Sequence, residues 1–188
     1  QKKEYLPKMV KGEIITAIAM TEPGTGSDLQ NIKTKATVKE NNIILNGSKT
    51  FITNGQNANL VLVVAKTDST KKAKGISIVL CEDYRKGFEK GKNLKKIGMQ
   101  AQDTSELFFH DVELPIENIL GQSGQGFGQL MDELPQERLS IAVTAIAAAE
   151  SALDWTISYT KERTAFNTKI IDFQNTKFTL AKLKSELS

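Results

Sequence analysis

A short loop rich in glycine and hydroxyl side chains follows the first apolar run of the chain. Residues 21–28 have the sequence Thr-Glu-Pro-Gly-Thr-Gly-Ser-Asp. Glycines let backbone N–H groups approach a phosphate closely, and the Thr and Ser hydroxyls can form hydrogen bonds with it. The loop could therefore cradle the pyrophosphate of a cofactor. Because its spacing matches neither GxGxxG nor GxxxxGK[ST], an ordinary turn is the alternative interpretation.

A second candidate segment lies where a strand is expected to end. Phe51, Ile52 and Thr53 bring an aromatic ring, an apolar side chain and a hydroxyl together before the turn at Asn54-Gly55. An aromatic ring beside a hydroxyl suits a flat heteroaromatic ligand that needs one hydrogen bond at its edge. Taken alone, the segment is more simply explained by a phenylalanine of the core.

A charged dipeptide, Glu137-Arg138, follows Pro135 in a segment with helical spacing. On the residues alone, a solvated pair or a surface ion pair is the simpler interpretation, because charged residues on helices are mostly exposed.

Composition excludes several other kinds of site and protein. The 188 residues include one cysteine, Cys81, and one histidine, His110, so an intrachain disulfide, a Cys-only zinc site and an HExxH helix are excluded, and no metal site is expected. With 25 basic and 22 acidic residues, the net charge of +3 is too weak for a nucleic-acid-binding protein. No apolar run approaches the ~20 residues of a transmembrane segment.

The elements that must position these residues begin with strands. From Glu13 to about Leu120, short β-rich segments alternate with Gly and Asn turns, and no helical pattern intervenes. This spacing favours an antiparallel sandwich or barrel over a doubly wound sheet. The predicted strands cover residues 14–20, 32–38, 43–45, 50–53, 60–66, 75–81 and 105–112.

Beyond residue 120 the pattern becomes helical. Gly121, Gly124, Gly126 and Gly128 predict a flexible link. A long buried helix follows, in which Pro135 should kink the helix or lie near its first turn. Asp172 is expected to cap a second helix. The apolar residues at helical spacing are Leu139, Val143, Ile146, Leu153 and Ile157, then Phe173, Leu180, Leu183 and Leu187.

The expected organisation has three parts. Residues 1–12 are the end of a helical region or a linker, residues 13–120 a β-domain, and residues 121–188 the incomplete start of a helical bundle. The sequence begins at Gln1 without an initiator methionine and stops at Ser188 inside an amphipathic pattern, so we expect a segment of a longer protein.

Taken in order, these segments resemble the acyl-CoA dehydrogenase family, most closely its long-chain type. Residues 18–28, IAMTEPGTGSD, are similar to the family's flavin-binding signature, and residues 46–55, NGSKTFITNG, to its second flavin-contact segment. Residues 101–109, AQDTSELFF, and 134–139, LPQERL, also match. Several motifs in collinear order are far more specific than any one of them.

The resemblance implies an α+β multidomain subunit with a helical N-terminal domain, an antiparallel β-barrel or sandwich middle domain, and an all-α bundle that builds a homotetramer. This chain would supply the middle domain, which binds flavin and acyl-CoA, and the first helices of the bundle.

The implied activity is FAD-dependent α,β-dehydrogenation of acyl-CoA thioesters to trans-2-enoyl-CoA in fatty-acid β-oxidation. An electron-transfer flavoprotein would accept the electrons, in the bacterial cytoplasm or the mitochondrial matrix. The alternatives are an acyl-CoA oxidase that uses oxygen and a non-catalytic module that binds acyl-CoA or a partner. Glu137 argues against the module, because a scaffold needs no carboxylate in the active-site position.

The resemblance also assigns roles to the candidate residues. Glu137 would be the catalytic base, and burial against acyl chain and flavin would raise its pKa. Arg138 would bind or order the substrate, since a guanidinium does not deprotonate. Ser27 would contact both the flavin nucleotide and the CoA part of the substrate.

The remaining implied contacts are to FAD. In the first flavin segment they come from Met20, Thr21 and Gly26, and in the second from Phe51 against the isoalloxazine, Ile52, and the Thr53 hydroxyl at N5. Contacts with the FAD of a neighbouring subunit come from Arg163, Phe166 and Gln174. Asn167 stands where the family usually has a glycine.

Overall fold

The computed structural model describes residues Gln1–Ser188 and divides into two compact units. The first unit, Gln1–Leu130, contains a seven-stranded sheet, and the second, Met131–Ser188, is mainly helical. The strands of the sheet are β1 (Thr16–Ala19), β2 (Lys35–Lys39), β3 (Asn42–Thr53), β4 (Leu60–Lys66), β5 (Ile76–Glu82), β6 (Phe88–Asn93) and β7 (Thr104–Pro115).

The sheet is mixed rather than purely antiparallel. Its strand order is β1-β4-β2-β3-β7-β6, and β5 pairs with β4. β1 and β2 run parallel to β4, whereas the other neighbours are antiparallel. The prediction of a β-domain followed by helices is therefore confirmed, and the expectation that all pairings are antiparallel is corrected.

The core of the first unit lies where β-branched and leucine side chains are densest. β4 and β5 pair along their whole lengths, and every residue of β5 is buried. Strands covered on both faces have nearly continuous apolar sequences, as these two do. Burying each Val, Leu or Ile side chain stabilises the fold by roughly 1.5–3 kcal/mol, so this pair is a major part of the core.

β3 continues through the predicted break at Asn46-Gly47. A register shift against β7 falls between Leu45 and Gly47, and Asn46 and Asp111 exchange two hydrogen bonds of 2.8 and 2.9 Å across it. Gly47 has φ of 148°, and a Cβ there would lie 2.5 Å from Thr34 Oγ1. The two segments predicted around this dipeptide are thus one strand, and the bulge lies in β7, where two residues oppose the single Asn46.

β6 was not predicted, because its sequence FEKGKN lacks apolar alternation. It pairs only with β7 and forms an edge of the sheet. Phe88 stacks on Phe109 with ring centroids 5.2 Å apart. Lysines on the rest of an edge strand oppose pairing with other chains, which explains the polar sequence.

The helices are α1 (Lys2–Val10), α2 (Gly126–Glu162) and α3 (Gln174–Leu187). The predicted link is shorter than expected, since Gly126 and Gly128 belong to α2. α2 continues through Pro135, which lies in the helix interior and not near its first turn. No helix is both long enough and apolar enough to cross a bilayer.

The expectation of a buried α2 is wrong over its middle section. Leu139, Val143 and Ile146 are 51–65% exposed. Further along α2, Leu153 is buried and lines an apolar groove together with Leu180 of α3. Within the second unit, α2 therefore packs against α3 along this groove, near Leu153, and not along its middle section.

Between α2 and α3 the chain forms a two-residue hairpin from β8 (Thr164–Ala165) and β9 (Thr168–Lys169). Phe166 and Asn167 form its loop with φ of 52° and 59°. Asp172 does not cap α3, whose N-cap residue is Phe173. Asp172 instead forms an ion pair with Lys177, with Oδ1 3.3 Å from Nζ, and this pairing replaces the expected cap.

Candidate functional site

The two segments with candidate cofactor-binding residues lie side by side in the first unit. The N–H of Thr50 donates a hydrogen bond of 2.9 Å to the carbonyl oxygen of Thr21. Within the loop, Glu22 and Thr25 exchange backbone hydrogen bonds of 2.8 and 3.1 Å around Pro23-Gly24. The loop after β1 is thus a tight turn fixed to the last part of β3.

A buried ion pair lies beneath this contact. The side chains of Lys49 and Glu22 are 0% and 5% exposed, and Nζ of Lys49 lies 2.9 Å from Oε1 of Glu22. Nζ also donates a 2.9 Å hydrogen bond to the carbonyl oxygen of Met20. The carboxylate of Glu22 accepts hydrogen bonds from the N–H groups of Lys33 and Thr34. One ion pair therefore connects both ends of the segment from residue 20 to residue 34 with β3.

Burial and hydrogen bonding act in opposite directions on the Glu22 pKa. Burial alone would raise it, but hydrogen bonds from Thr34 and Lys33 and the charge of Lys49 outweigh burial and lower it below its ordinary value. Burial lowers the pKa of Lys49 to about 8, against the opposing attraction of Glu22. The carboxylate is thus held in its ionised form beside the ammonium group.

The outer part of the loop presents hydrogen-bond donors that the chain itself does not use. The N–H groups of Gly26 and Ser27 have no acceptor within the chain, and the hydroxyls of Thr21 and Ser27 form no hydrogen bond. No atom lies within 4 Å of the position that a Cβ would take at Gly24 or Gly26. This set of donors in open space suits a phosphate or pyrophosphate group.

A bulge in β3 presents Phe51. Lys49 pairs with Leu107 and Ile52 with Ser105, so Thr50 and Phe51 together oppose a single residue of β7. Phe51 has φ of 57° and is 66% exposed. Holding a bulky residue in this backbone conformation costs roughly 1–3 kcal/mol of folding free energy. Bulges occur where the strand must redirect a side chain, and here the redirected side chain is Phe51. The alternative of a core phenylalanine is therefore excluded.

The neighbours of Phe51 point in different directions. Ile52 is buried in the core, so its side chain cannot contact a ligand and only its backbone could. Thr53 is exposed, and its hydroxyl forms no hydrogen bond within the chain. An exposed ring beside a free hydroxyl fits a flat heteroaromatic ring, and free amides nearby fit its phosphates. The donor set is thus compatible with a flavin nucleotide.

The other candidate residues lie in the second unit. Glu137 and Arg138 are exposed on α2 and form no ion pair, so the burial expected for Glu137 is not present in this chain. Arg163 and Phe166 belong to the hairpin region, where the carbonyl oxygen of Arg163 accepts a 2.9 Å hydrogen bond from Ile170. Gln174 is the exposed first residue of α3. The described residues contain no group of three or more His, Cys, Asp or Glu placed to hold a metal ion.

The sequence analysis gave no role to Lys49 and none to Glu22. A signal was present, since Ile43, Leu45 and Lys49 occupy inward positions of the same alternating strand pattern. A lysine at an inward position of a strand requires a buried acidic partner. The glutamate of the first candidate loop, Glu22, was the partner to consider.

Comparisons with known proteins agree with this arrangement. Residues 17–112 match the family model described as acyl-CoA dehydrogenase, middle domain, and residues 124–188 match its C-terminal domain. The long-chain specific acyl-CoA dehydrogenase of Rattus norvegicus mitochondria is 50% identical over 100% of this chain and 44% of its own length. The chain thus spans less than half of that relative.

Solved structures extend the likeness to the fold. A crystal structure of acyl-CoA dehydrogenase from Geobacillus kaustophilus has a TM-score of 0.94 and 49% identity, covering 99% of this chain and 50% of that one. A structure described as PigA with FAD and proline has a TM-score of 0.93 and 31% identity, covering 99% and 49%. With both family models matched in order along one chain, this sequence belongs to the acyl-CoA dehydrogenase family.

Proposed function

We propose that the protein containing this chain is an FAD-dependent acyl-CoA dehydrogenase that oxidises acyl-CoA thioesters to trans-2-enoyl-CoA. The observation that carries the proposal is the joining of residues 21–28 to the end of β3. It brings unused amides, free hydroxyls and an exposed aromatic ring together beside the last part of β3. The FAD named for the PigA structure and the substrate class named for the Rattus norvegicus relative support it.

The residues of the first unit would hold FAD. The N–H groups of Gly26 and Ser27, with the hydroxyls of Thr21 and Ser27, would bind its phosphates, and Met20 would contact the flavin. Phe51 would lie against the isoalloxazine, with the backbone of Ile52 and the hydroxyl of Thr53 at its edge. When bound, FAD supplies the acceptor for the hydride that leaves the β-carbon.

Glu137 would remove the α-proton of the thioester. That proton is barely acidic, so the carboxylate must be screened from water and aligned with the Cα–H bond for the transfer to be fast. Glu137 is exposed in this chain, so the acyl chain and further protein must supply that screening. Arg138 would order the substrate beside it, and Ser27 would bind the CoA portion.

The second unit would contribute to assembly. Arg163, Phe166 and Gln174 would reach the FAD of a neighbouring subunit, within a homotetramer built from the completed bundle. Residues 13–120 would form the domain that binds flavin and acyl-CoA, and residues 121–188 would form the first helices of that bundle. Residues 1–12 would be the end of a helical region that precedes the β-domain, or the linker to it. The electron acceptor would be an electron-transfer flavoprotein of β-oxidation, in the mitochondrial matrix or the bacterial cytoplasm.

Anaerobic titration of the full-length protein with saturated acyl-CoA tests the proposal. Each equivalent should bleach the flavin absorbance and yield one equivalent of trans-2-enoyl-CoA. Reoxidation that requires an electron-transfer flavoprotein supports a dehydrogenase, whereas fast reoxidation by air with release of hydrogen peroxide would make the protein an oxidase. Binding of acyl-CoA without bleaching of the flavin would show that the protein is a binding module and not a dehydrogenase.

A further inference from the structure

The ion pair between Glu22 and Lys49 buries two charged groups, and this desolvation opposes folding. Removing two charges from water costs several kcal/mol for each ion, and well-packed apolar residues often replace such pairs without loss of stability. Here Lys49 is fully buried in a strand whose buried residues include the apolar Ile43, Leu45 and Ile52. General stability therefore does not explain why charges occupy this position.

The partners of the pair show what it does hold. Lys49 binds the carbonyl oxygen of Met20 before the loop, and Glu22 binds the N–H groups of Lys33 and Thr34 after it. Each of these contacts is to backbone, so the pair fixes the course of the main chain on both sides of residues 23–32. A neutral pair of side chains could not satisfy a carbonyl and two amides with charge-assisted hydrogen bonds.

Between these anchors, residues 23–28 are mostly exposed, whereas the buried Ile32 lies next to the second anchor. Gly24 and Gly26 have open space around them, and Ser27 is exposed. The internal side-chain hydrogen bonds of the loop are one from Thr25 to the carbonyl oxygen of Asn31 and one from Asn31 to Asp28. The orientation of the free amides at Gly26 and Ser27 must therefore depend on the anchored ends.

The same lysine borders the bulge that presents Phe51. Lys49 and Leu107 form the last regular pair of β3 and β7 before the register shift, and Thr50 then bonds to Thr21. Movement of Lys49 would thus shift the loop and the bulge together.

From these contacts we infer that Glu22 and Lys49 are positioning residues for FAD, which orient the loop amides and the Phe51 bulge without touching the cofactor. This inference rests on the proposed function. Removing the pair should weaken FAD binding far more than a substitution elsewhere in the same unit that destabilises the protein by the same amount.

Glu82 provides a matched control. It is also a buried carboxylate with several polar partners, accepting hydrogen bonds from Tyr5, Arg85 and Asn118. None of these residues belongs to the loop or to the bulge. Glu82→Gln should therefore lower the melting temperature of the apoprotein and leave the Kd for FAD within about twofold.

The test compares Glu22→Gln, the double variant Glu22→Gln/Lys49→Met and Glu82→Gln in the full-length apoprotein. FAD affinity is measured by fluorescence titration, melting temperature by calorimetry, and exposure of the loop by amide hydrogen exchange. Glu22→Gln should raise the Kd for FAD by about tenfold or more, the equivalent of about 1.4 kcal/mol, and speed exchange in residues 23–32. The double variant leaves no unpaired charge buried. Its melting temperature should therefore return towards the wild-type value, while its affinity for FAD stays low.

Two outcomes would overturn the inference alone: equal losses of FAD affinity in Glu22→Gln and Glu82→Gln, or recovery of affinity together with stability in the double variant. If the wild-type protein bound no FAD, the proposed function would fail, and the inference with it. The apoprotein exchange rates provide a readout that requires no turnover.

Discussion

The N–H of Thr50 lies 2.9 Å from the carbonyl oxygen of Thr21 and joins two segments that are far apart in the sequence. Each segment has an ordinary interpretation when taken alone, as a turn and as a strand end. Joined, they bring free amides, hydroxyls and an aromatic ring together beside the last part of β3. The site therefore arises from the contact and from neither segment separately.

Glu137→Gln should leave FAD bound and slow flavin reduction by acyl-CoA by about 100-fold or more, because it removes the base and keeps the shape of the side chain. Stopped-flow absorbance of the full-length enzyme measures the reductive half-reaction. Glu150→Gln, an exposed change on the same helix, is the control. A normal reduction rate in Glu137→Gln would place the base elsewhere.

Thr53→Val should weaken FAD binding by about fivefold, since it removes one hydrogen bond worth about 1 kcal/mol and preserves side-chain volume. The flavin absorbance band should shift as well, because the lost contact is proposed at N5. Equilibrium dialysis and the visible spectrum measure both effects. An unchanged spectrum together with unchanged affinity would remove Thr53 from the site.

Phe51→Ala should weaken FAD binding while leaving the melting temperature of the apoprotein nearly unchanged. The ring is 66% exposed, so its loss removes little from the core but uncovers the proposed flavin face. Tyr84→Ala, which also removes an exposed ring of the first unit, should change neither quantity. A large fall in melting temperature would show that Phe51 is a structural residue.

Stability should fall as the pH drops below about 4.5. The folded-state pKa values of Glu22 and Glu82 both lie below the ordinary 4.5; burial would raise each, but hydrogen bonds and neighbouring cations outweigh it. Below that pH the unfolded chain binds protons that the folded chain does not. The free energy of unfolding that these two carboxylates contribute above about pH 4.5 is therefore lost as the pH falls through their folded-state pKa values. Urea midpoints from about pH 6 to about pH 3 measure the slope, which should be shallower in Glu82→Gln.

Cys81 should resist thiol reagents at about pH 8 until the protein unfolds. The side chain is fully buried, and burial raises the pKa of its thiol from 9.0 to about 12. Because the folded pKa is raised, this contribution to stability is complete below pH 9.0 and is lost as the pH rises towards 12. Fast stoichiometric labelling of the native protein would contradict the burial.

The sequence patterns predicted the strongly apolar strands and missed elements that long-range contacts define. β4 was found at its observed bounds because it is almost continuously apolar. β6 was missed because its pairing with β7, and not an alternating pattern, identifies it as a strand. The parallel pairing of β1 with β4 is likewise invisible in local periodicity.

For the candidate site, local sequence indicated which segments carry chemistry and did not indicate what holds them. The exposed Phe51 depends on a bulge whose register is set by β7, and a propensity argument cannot locate such a shift. The buried Lys49 pairs with a glutamate of a distant loop. Both features follow from tertiary packing overriding local preference.

The turn at Phe166 and Asn167 bears on how this family is recognised. Both residues have positive φ, as a two-residue hairpin loop of type I′ requires, and asparagine tolerates that region better than most residues other than glycine. A signature that demands the usual glycine would reject this sequence although its backbone turns in the manner a glycine permits. In this chain the turn is defined by a pair of backbone angles, and asparagine satisfies the second of them, so a motif written as a conformation would accept this sequence where one written with glycine would not.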